Sequence, residues 1–258
     1  MQIIRQARKL TADVDIVTIS AGGNDVEWSE ALEACAVTDA QRDLGDAAEG
    51  ARNTVESAAE SAVNWARERI GRPPIDSEPD PVNPSTVCQD IIDVKMDELD
   101  DLEANLTALY AAVSDRTSGA QVFVSNYPLI VAAQSANLLT LAVSDDVARF
   151  DGFTQALNDR IASAVDAAGF TLVDIYSAFE GNEGCTGECE YIKCLDLNFT
   201  VTSITDLNIA PAAASMHPTE YGACVYAREF AESMLGSGDG VPCVQEWAGT
   251  RRGACIDE

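Results

Sequence analysis

Histidine is nearly missing from this chain: His217 is the only one in 258 residues. Lysine is scarce as well, with Lys9, Lys95 and Lys193 the only three. The 16 basic residues face 43 acidic ones, which leaves a net charge of −27. A surface this negative repels the phosphates of nucleic acids and the anionic face of membranes, so neither is expected as a partner. No apolar run approaches the roughly 18 residues that a membrane-spanning helix requires. Aromatic residues make up only 6% of the chain, which argues against a broad lipid-binding surface.

Metal chemistry is also poorly supplied. The spacing Cys185-x3-Cys189-x4-Cys194 is not that of a zinc ribbon, and the acidic loop 76–80 lacks the ligand spacing of an EF-hand. No metal and no cofactor are expected. The eight cysteines (35, 88, 185, 189, 194, 224, 243 and 255) form an even set, and such a set reads as a disulfide framework of an exported protein. Yet residues 2–11 carry Ile3, Ile4, Ala7 and Leu10 at helical spacing. That is not the charged head and apolar core of a signal peptide.

A length of 258 residues suits one domain with a large core. Short apolar strands are expected at 15–20, 121–125 and 170–174. Amphipathic helices are expected at 88–115, at about 144–168, and after His217. On the 88–115 helix the stripe is Ile92, Met96, Leu99, Leu106, Leu109 and Val113. Strands alternating with helices predict an α/β fold: a three-layer αβα sandwich around a parallel sheet. Residues 38–84 read as a helical, proline-rich insertion, 177–210 as an irregular cysteine-rich segment, and 236–258 as a glycine- and cysteine-bearing tail.

In such folds ligands bind at the carboxyl ends of the strands. Asn24, the Asn126-Tyr127-Pro128 exit and Asp174 all fall there. The run DIVTIS stops in Gly22-Gly23-Asn24-Asp25. Glycines at a strand end allow positive φ and close passage of the backbone. An asparagine held there offers N–H donors to a substrate oxygen without adding charge; alone, the four residues read equally as a tight turn.

The sole histidine follows far downstream in SMHPTEYG (Ser215 to Gly222). Together the two stretches resemble two catalytic blocks of the SGNH (GDSL-type) esterase and lipase family, in its secreted actinobacterial branch. The resemblance runs from Asp15 to about Met234. It implies a flavodoxin-like sheet and hydrolysis of a small-molecule, lipid or carbohydrate ester by an extracellular monomer. His217 would be the general base and Asn24 an oxyanion donor, with Gly22, Gly23 and Asp25 shaping the turn. Many members carry Asp three residues before the histidine; here that position is Ala214. A backbone carbonyl or another acid would then orient the imidazole. The resemblance also implies a Cys35–Cys88 disulfide, worth about 4 kcal/mol on the chain-entropy view.

One block is missing. There is no Gly-Asp-Ser, and the GSGDG at 236–240 follows no strand. The expectation is therefore an N-terminally truncated reading of a larger esterase, inactive as written, with its first strands absent and DIVTIS left as an open apolar edge. The alternative is a non-catalytic secreted binding module built on the same fold.

Overall fold

The structure, a computed structural model, describes residues 7–28, 31, 84–117, 119–130, 144–184, 191–193, 197–203, 206–211 and 217–238. The expected insertion 38–84 (apart from its last residue), the first residues of the 2–11 helix, Cys35, Ala214 and the tail from 239 lie outside the described residues.

Three parallel strands form the sheet, in the order β1 (Ile16–Ser20), β2 (Gln121–Ser125), β3 (Thr171–Val173). The register pairs Ser20 with Ser125, and Ser125 with Val173, so all three strands finish at one level. Val122 and Val124 on one face of β2 and Phe123 and Ser125 on the other are all buried. A central strand buried on both sides is what a parallel sheet between two layers requires. β1 alternates instead: Val17 is buried, while Ile16 is 49% exposed and Thr18 and Ser20 are exposed.

The helices follow their apolar stripes. α1 (Pro84–Asp97), α2 (Leu99–Ser114) and α3 (Ser144–Ala168) pack together, and α3 also meets β3. α3 buries Phe150, Phe153, Leu157, Ile161 and Val165, with Val147 packed beside them. The short α4 (Ile175–Ala178) follows β3, and α5 (Glu220–Leu235) packs on α4, β2 and β3.

Two expectations need correction. The helix expected at 88–115 is broken at Glu98 into α1 and α2. Met96, assigned to the buried stripe, is 42% exposed, whereas Lys95 beside it is 3% exposed. Buried positions along α1 and α2 are Cys88, Ile91, Ile92, Lys95, Leu99, Leu102, Leu106, Leu109, Tyr110 and Val113. Steps of three and four put Lys95, not Met96, on the inward face, and its ammonium is tolerated because two carboxylates meet it.

The segment expected to be irregular at 177–210 contains an antiparallel pair, β4 (Leu197–Ser203) and β5 (Asp206–Pro211). Its sequence explains this. Leu197, Phe199 and Val201 alternate with Asn198, Thr200 and Thr202, a period-two pattern that favours a strand.

Candidate active site

The turn after β1 is built on glycine. Gly22 has φ +122°, a conformation that disfavours a side chain. Its carbonyl accepts from the amides of Asp25 (3.0 Å) and Val26 (3.3 Å), closing a tight turn. At Gly23 the demand is for space, because a Cβ there would collide with the Tyr127 ring. The Gly23 N–H donates to the Tyr127 hydroxyl at 2.7 Å, and the Gly23 carbonyl accepts from the Trp28 amide at 2.8 Å. Both polar groups of Gly23 are therefore occupied. Asn24 and Asp25, which follow, are exposed.

Three side chains from other elements hold the turn. Tyr127, at the exit of β2, supports Gly23. Its own backbone is gripped by Asn158 of α3, whose Oδ1 accepts from the Tyr127 amide (2.8 Å) and whose Nδ2 donates to the Tyr127 carbonyl (2.9 Å). The buried Trp28 ring packs against Tyr127 and Phe150, and its Nε1 donates to Thr154 of α3 at 3.1 Å. Finally Lys95 of α1 places Nζ 2.8 Å from Glu27 and 3.0 Å from Glu98. Glu27 has φ +50°, a left-handed conformation that is costly for a non-glycine residue.

Neighbouring strand exits are tied as firmly. Asn126, 6% exposed, accepts at Oδ1 from the amides of Ile175 (2.7 Å) and Tyr176 (3.0 Å), and donates from Nδ2 to Asp174 (2.9 Å). Burial alone would raise the Asp174 carboxyl, but hydrogen bonds from Ser177, Asn126 and nearby amides outweigh it and hold the pKa below its usual value. Asn126 thus joins the end of β2 to Asp174 and the start of α4. Next to it, Tyr176 donates to Asp151 at 2.6 Å; burial and that carboxylate push its phenol up to about 12.

His217 sits on the approach to α5. Its carbonyl accepts from the Lys193 amide (2.9 Å), Pro218 bridges Ile192, and the Tyr191 carbonyl accepts from the Thr219 amide (2.8 Å). Thr219 caps α5, accepting at Oγ1 from the Gly222 amide (3.2 Å). Gly222 is required by close approach, since a Cβ there would strike the Tyr191 carbonyl. His217 and Pro218 are exposed.

α5, the helix that follows His217, packs against β2, at whose exit Tyr127 lies. Tyr226, two turns into α5, is raised above the ordinary phenol range by burial, with the nearby Tyr127 phenol adding to it. Tyr127 also feels Asp25: burial raises it most, the Gly23 N–H works the other way, and the Asp25 charge raises it further. Gly22, Gly23, Asn24 and Asp25 follow the carboxyl end of β1. Cys88 and Cys224 each take part in a disulfide bond, while Cys35, the expected partner of Cys88, and the position Ala214 fall outside the described residues. Sequence reasoning passed over Lys95, Asn158 and Thr154, although each is a polar residue on an apolar helical stripe.

Two solved structures share this architecture. The chain is similar to the extracellular lipase from Streptomyces rimosus, with 18% identity and a TM-score of 0.56 over 88% of this chain and 73% of that one. It is similar also to phospholipase A1 from Streptomyces albidoflavus NA297, with 16% identity and a TM-score of 0.55 over 94% and 72%. No protein-family model matches the chain, and no curated protein matches it in sequence. At this identity the likeness is one of fold: the chain has the α/β architecture of these two lipolytic enzymes.

Proposed function

We propose that the protein is a secreted carboxylic ester hydrolase of the SGNH type, acting on a small-molecule, lipid or carbohydrate ester. The observation that carries this is an exposed Asn24 on a turn clamped at the carboxyl end of β1, in the fold of two lipolytic enzymes. In this reading a serine hydroxyl attacks the ester carbonyl while His217 takes its proton. The carbonyl oxygen becomes an oxyanion, and the Asn24 Nδ2–H donates to it. His217 then returns the proton to the departing alcohol, and water releases the acyl group by the same route.

The Gly23 N–H, already given to Tyr127, leaves the Asn24 side chain as the donor from this turn. With Ala214 three residues before His217, the imidazole is oriented by a backbone carbonyl or by an acid elsewhere. The serine itself comes from sequence outside these 258 residues, since no Gly-Asp-Ser occurs within them. Neither metal nor cofactor takes part, the active form is a monomer, and Cys35 pairs with Cys88.

The test is hydrolysis of short p-nitrophenyl esters. The 258-residue chain should neither turn them over nor accept a serine-directed phosphonate. In a form extended to include the serine, Asn24→Ala should lower kcat by about 10²–10³-fold, and His217→Ala should remove most of the remaining rate. Turnover by the 258-residue chain, or full activity after His217→Ala, would refute the assignment. The lack of a Gly-Asp-Ser block favours one second reading, a non-catalytic binding module on the same fold. It predicts cooperative unfolding of the 258-residue chain as a monomer, with no esterase activity in any extended form.

A further inference from the structure

The geometry points to Tyr127 as the positioning residue of the oxyanion donor, a role that rests on the hydrolase reading and adds a residue to it. The turn does not hold Asn24 by itself. Its internal hydrogen bonds, from Asp25 and Val26 to the Gly22 carbonyl, leave the Gly23 N–H unsatisfied. Tyr127 takes that N–H at 2.7 Å, and its ring lies so close beneath Gly23 that no Cβ fits between them. Because the Gly23 carbonyl is bound by the Trp28 amide, the residue before Asn24 is fixed at both ends.

Tyr127 is itself immobilised. Asn158 holds its backbone at both N–H and carbonyl, and Trp28 packs on its ring at 5.5 Å between centroids. A rigid line therefore runs from α3 through Asn158, Tyr127 and Gly23 to the residue that bears the donor. An exposed asparagine on a free turn would spread its N–H over many directions. A donor helps only when it is aimed in advance at the place where charge develops, and Tyr127 supplies that aim without touching the substrate.

The experiment is Tyr127→Phe, which removes one oxygen and keeps the ring. In the isotopically labelled 258-residue chain, exchange of the Gly23 amide should accelerate about 2- to 13-fold, as loss of one hydrogen bond of ordinary strength implies. The backbone order parameter of Asn24 should fall from about 0.85 to below about 0.6. The amides of Trp28 and Val124 should keep their exchange rates. Unchanged Gly23 exchange and Asn24 order would overturn the proposal. So would equal acceleration at all three amides, because that signals general loosening rather than loss of aim. Should the variant fail to fold, the unsubstituted chain decides: a Gly23 amide that exchanges like an unbonded one overturns the proposal, and a protected one supports it.

Kinetics supply the second arm. In a form that includes the serine, Tyr127→Phe should lower kcat about 10- to 100-fold with KM within about twofold, since misplacing a catalytic group by an ångström costs on that order. An unchanged kcat, or an effect confined to KM, would overturn the positioning role. If the unsubstituted extended form has no esterase activity while Gly23 exchange responds to Tyr127→Phe, the hydrolase reading fails and the contact itself stands.

Discussion

Consider what happens when the charges around Lys95 are removed from one side or the other. The Lys95 side chain is 3% exposed, and the carboxylates it meets at 2.8 and 3.0 Å belong to residues with 42% exposed side chains. The three charges are therefore unequal in their access to water. Lys95→Met removes the ammonium and keeps an apolar stem of similar length. Glu27 and Glu98 can then turn toward solvent, so the cost is the lost ion pairs less the relieved desolvation, about 0–2 kcal/mol. The pair Glu27→Ala and Glu98→Ala does the opposite. It leaves an ammonium on a buried helical stripe with no anion, which costs about 3–5 kcal/mol.

Urea unfolding at pH 7, followed by tryptophan fluorescence, measures both variants. The double glutamate variant should unfold at clearly lower urea than Lys95→Met. Equal stabilities, or the reverse order, would show that Lys95 is not desolvated in the way its burial implies. The pH dependence has a definite sign. Burial would lower the Lys95 pKa, but hydrogen bonds and charges from Glu27 and Glu98 outweigh it, and the folded value lies above 10.5. A raised lysine stabilises fully below its unfolded pKa and loses that contribution as pH rises through the folded one. The stability difference between the parent chain and Lys95→Met should stay flat from pH 7 to about 10 and change only above that.

Two further substitutions probe the supports of the site. Gly222→Ala puts a methyl group into the Tyr191 carbonyl, which accepts from both the amide and Oγ1 of Thr219. It should cost about 1–3 kcal/mol by overpacking; a thermal melt shifted by less than the equivalent of 0.5 kcal/mol, on the scale of ~0.5 for neutral surface changes, would count against that contact. Asn126→Ala strips the acceptor from two amides and a donor from Asp174, and should cost about 2–4 kcal/mol at pH 7. The lowered Asp174 carboxyl stabilises above its unfolded pKa and stops doing so as pH falls through the folded value, so the gap between parent and variant should narrow below pH 3.8. A gap that widens in acid would exclude the Asn126–Asp174 bond.

The parts of this molecule that repeat were legible; the parts that meet only in space were not. Strands at 16–20, 121–125 and 171–173 and the α3 helix follow from periodicity alone. That Asn24, Asn126 and Asp174 follow the same end of the sheet comes from the parallel arrangement, in which the register ends the strands together at Ser20, Ser125 and Val173. The burial of Lys95 was not legible, because its partner Glu27 lies 68 positions earlier in the chain. Nor was the role of Tyr127, whose hydroxyl meets an amide 104 positions away. A tyrosine after a strand carries no mark of what its oxygen will bind. The strand pair at 197–211 did carry its period-two pattern, in Leu197, Phe199 and Val201.

A usable signal for the site remains in the residues that break the apolar stripes. Lys95 on the α1 face, Thr154 and Asn158 on the α3 face and Asn126 at the end of β2 are all buried and all polar. A buried polar group is costly unless it is hydrogen-bonded, so each implies a partner worth that cost. Lys95 finds Glu27, Thr154 finds Trp28, Asn158 finds Tyr127, and Asn126 finds the start of α4. Three of the four partners lie in or directly beneath the turn that bears Asn24. Thr117 shows the limit of the rule, since it bonds only the Val113 carbonyl of its own helix. The discriminating feature is a bond that leaves its own element. Where several such bonds converge on one loop, that loop is held more tightly than its exposure suggests, and a rigid exposed amide is what oxyanion chemistry needs.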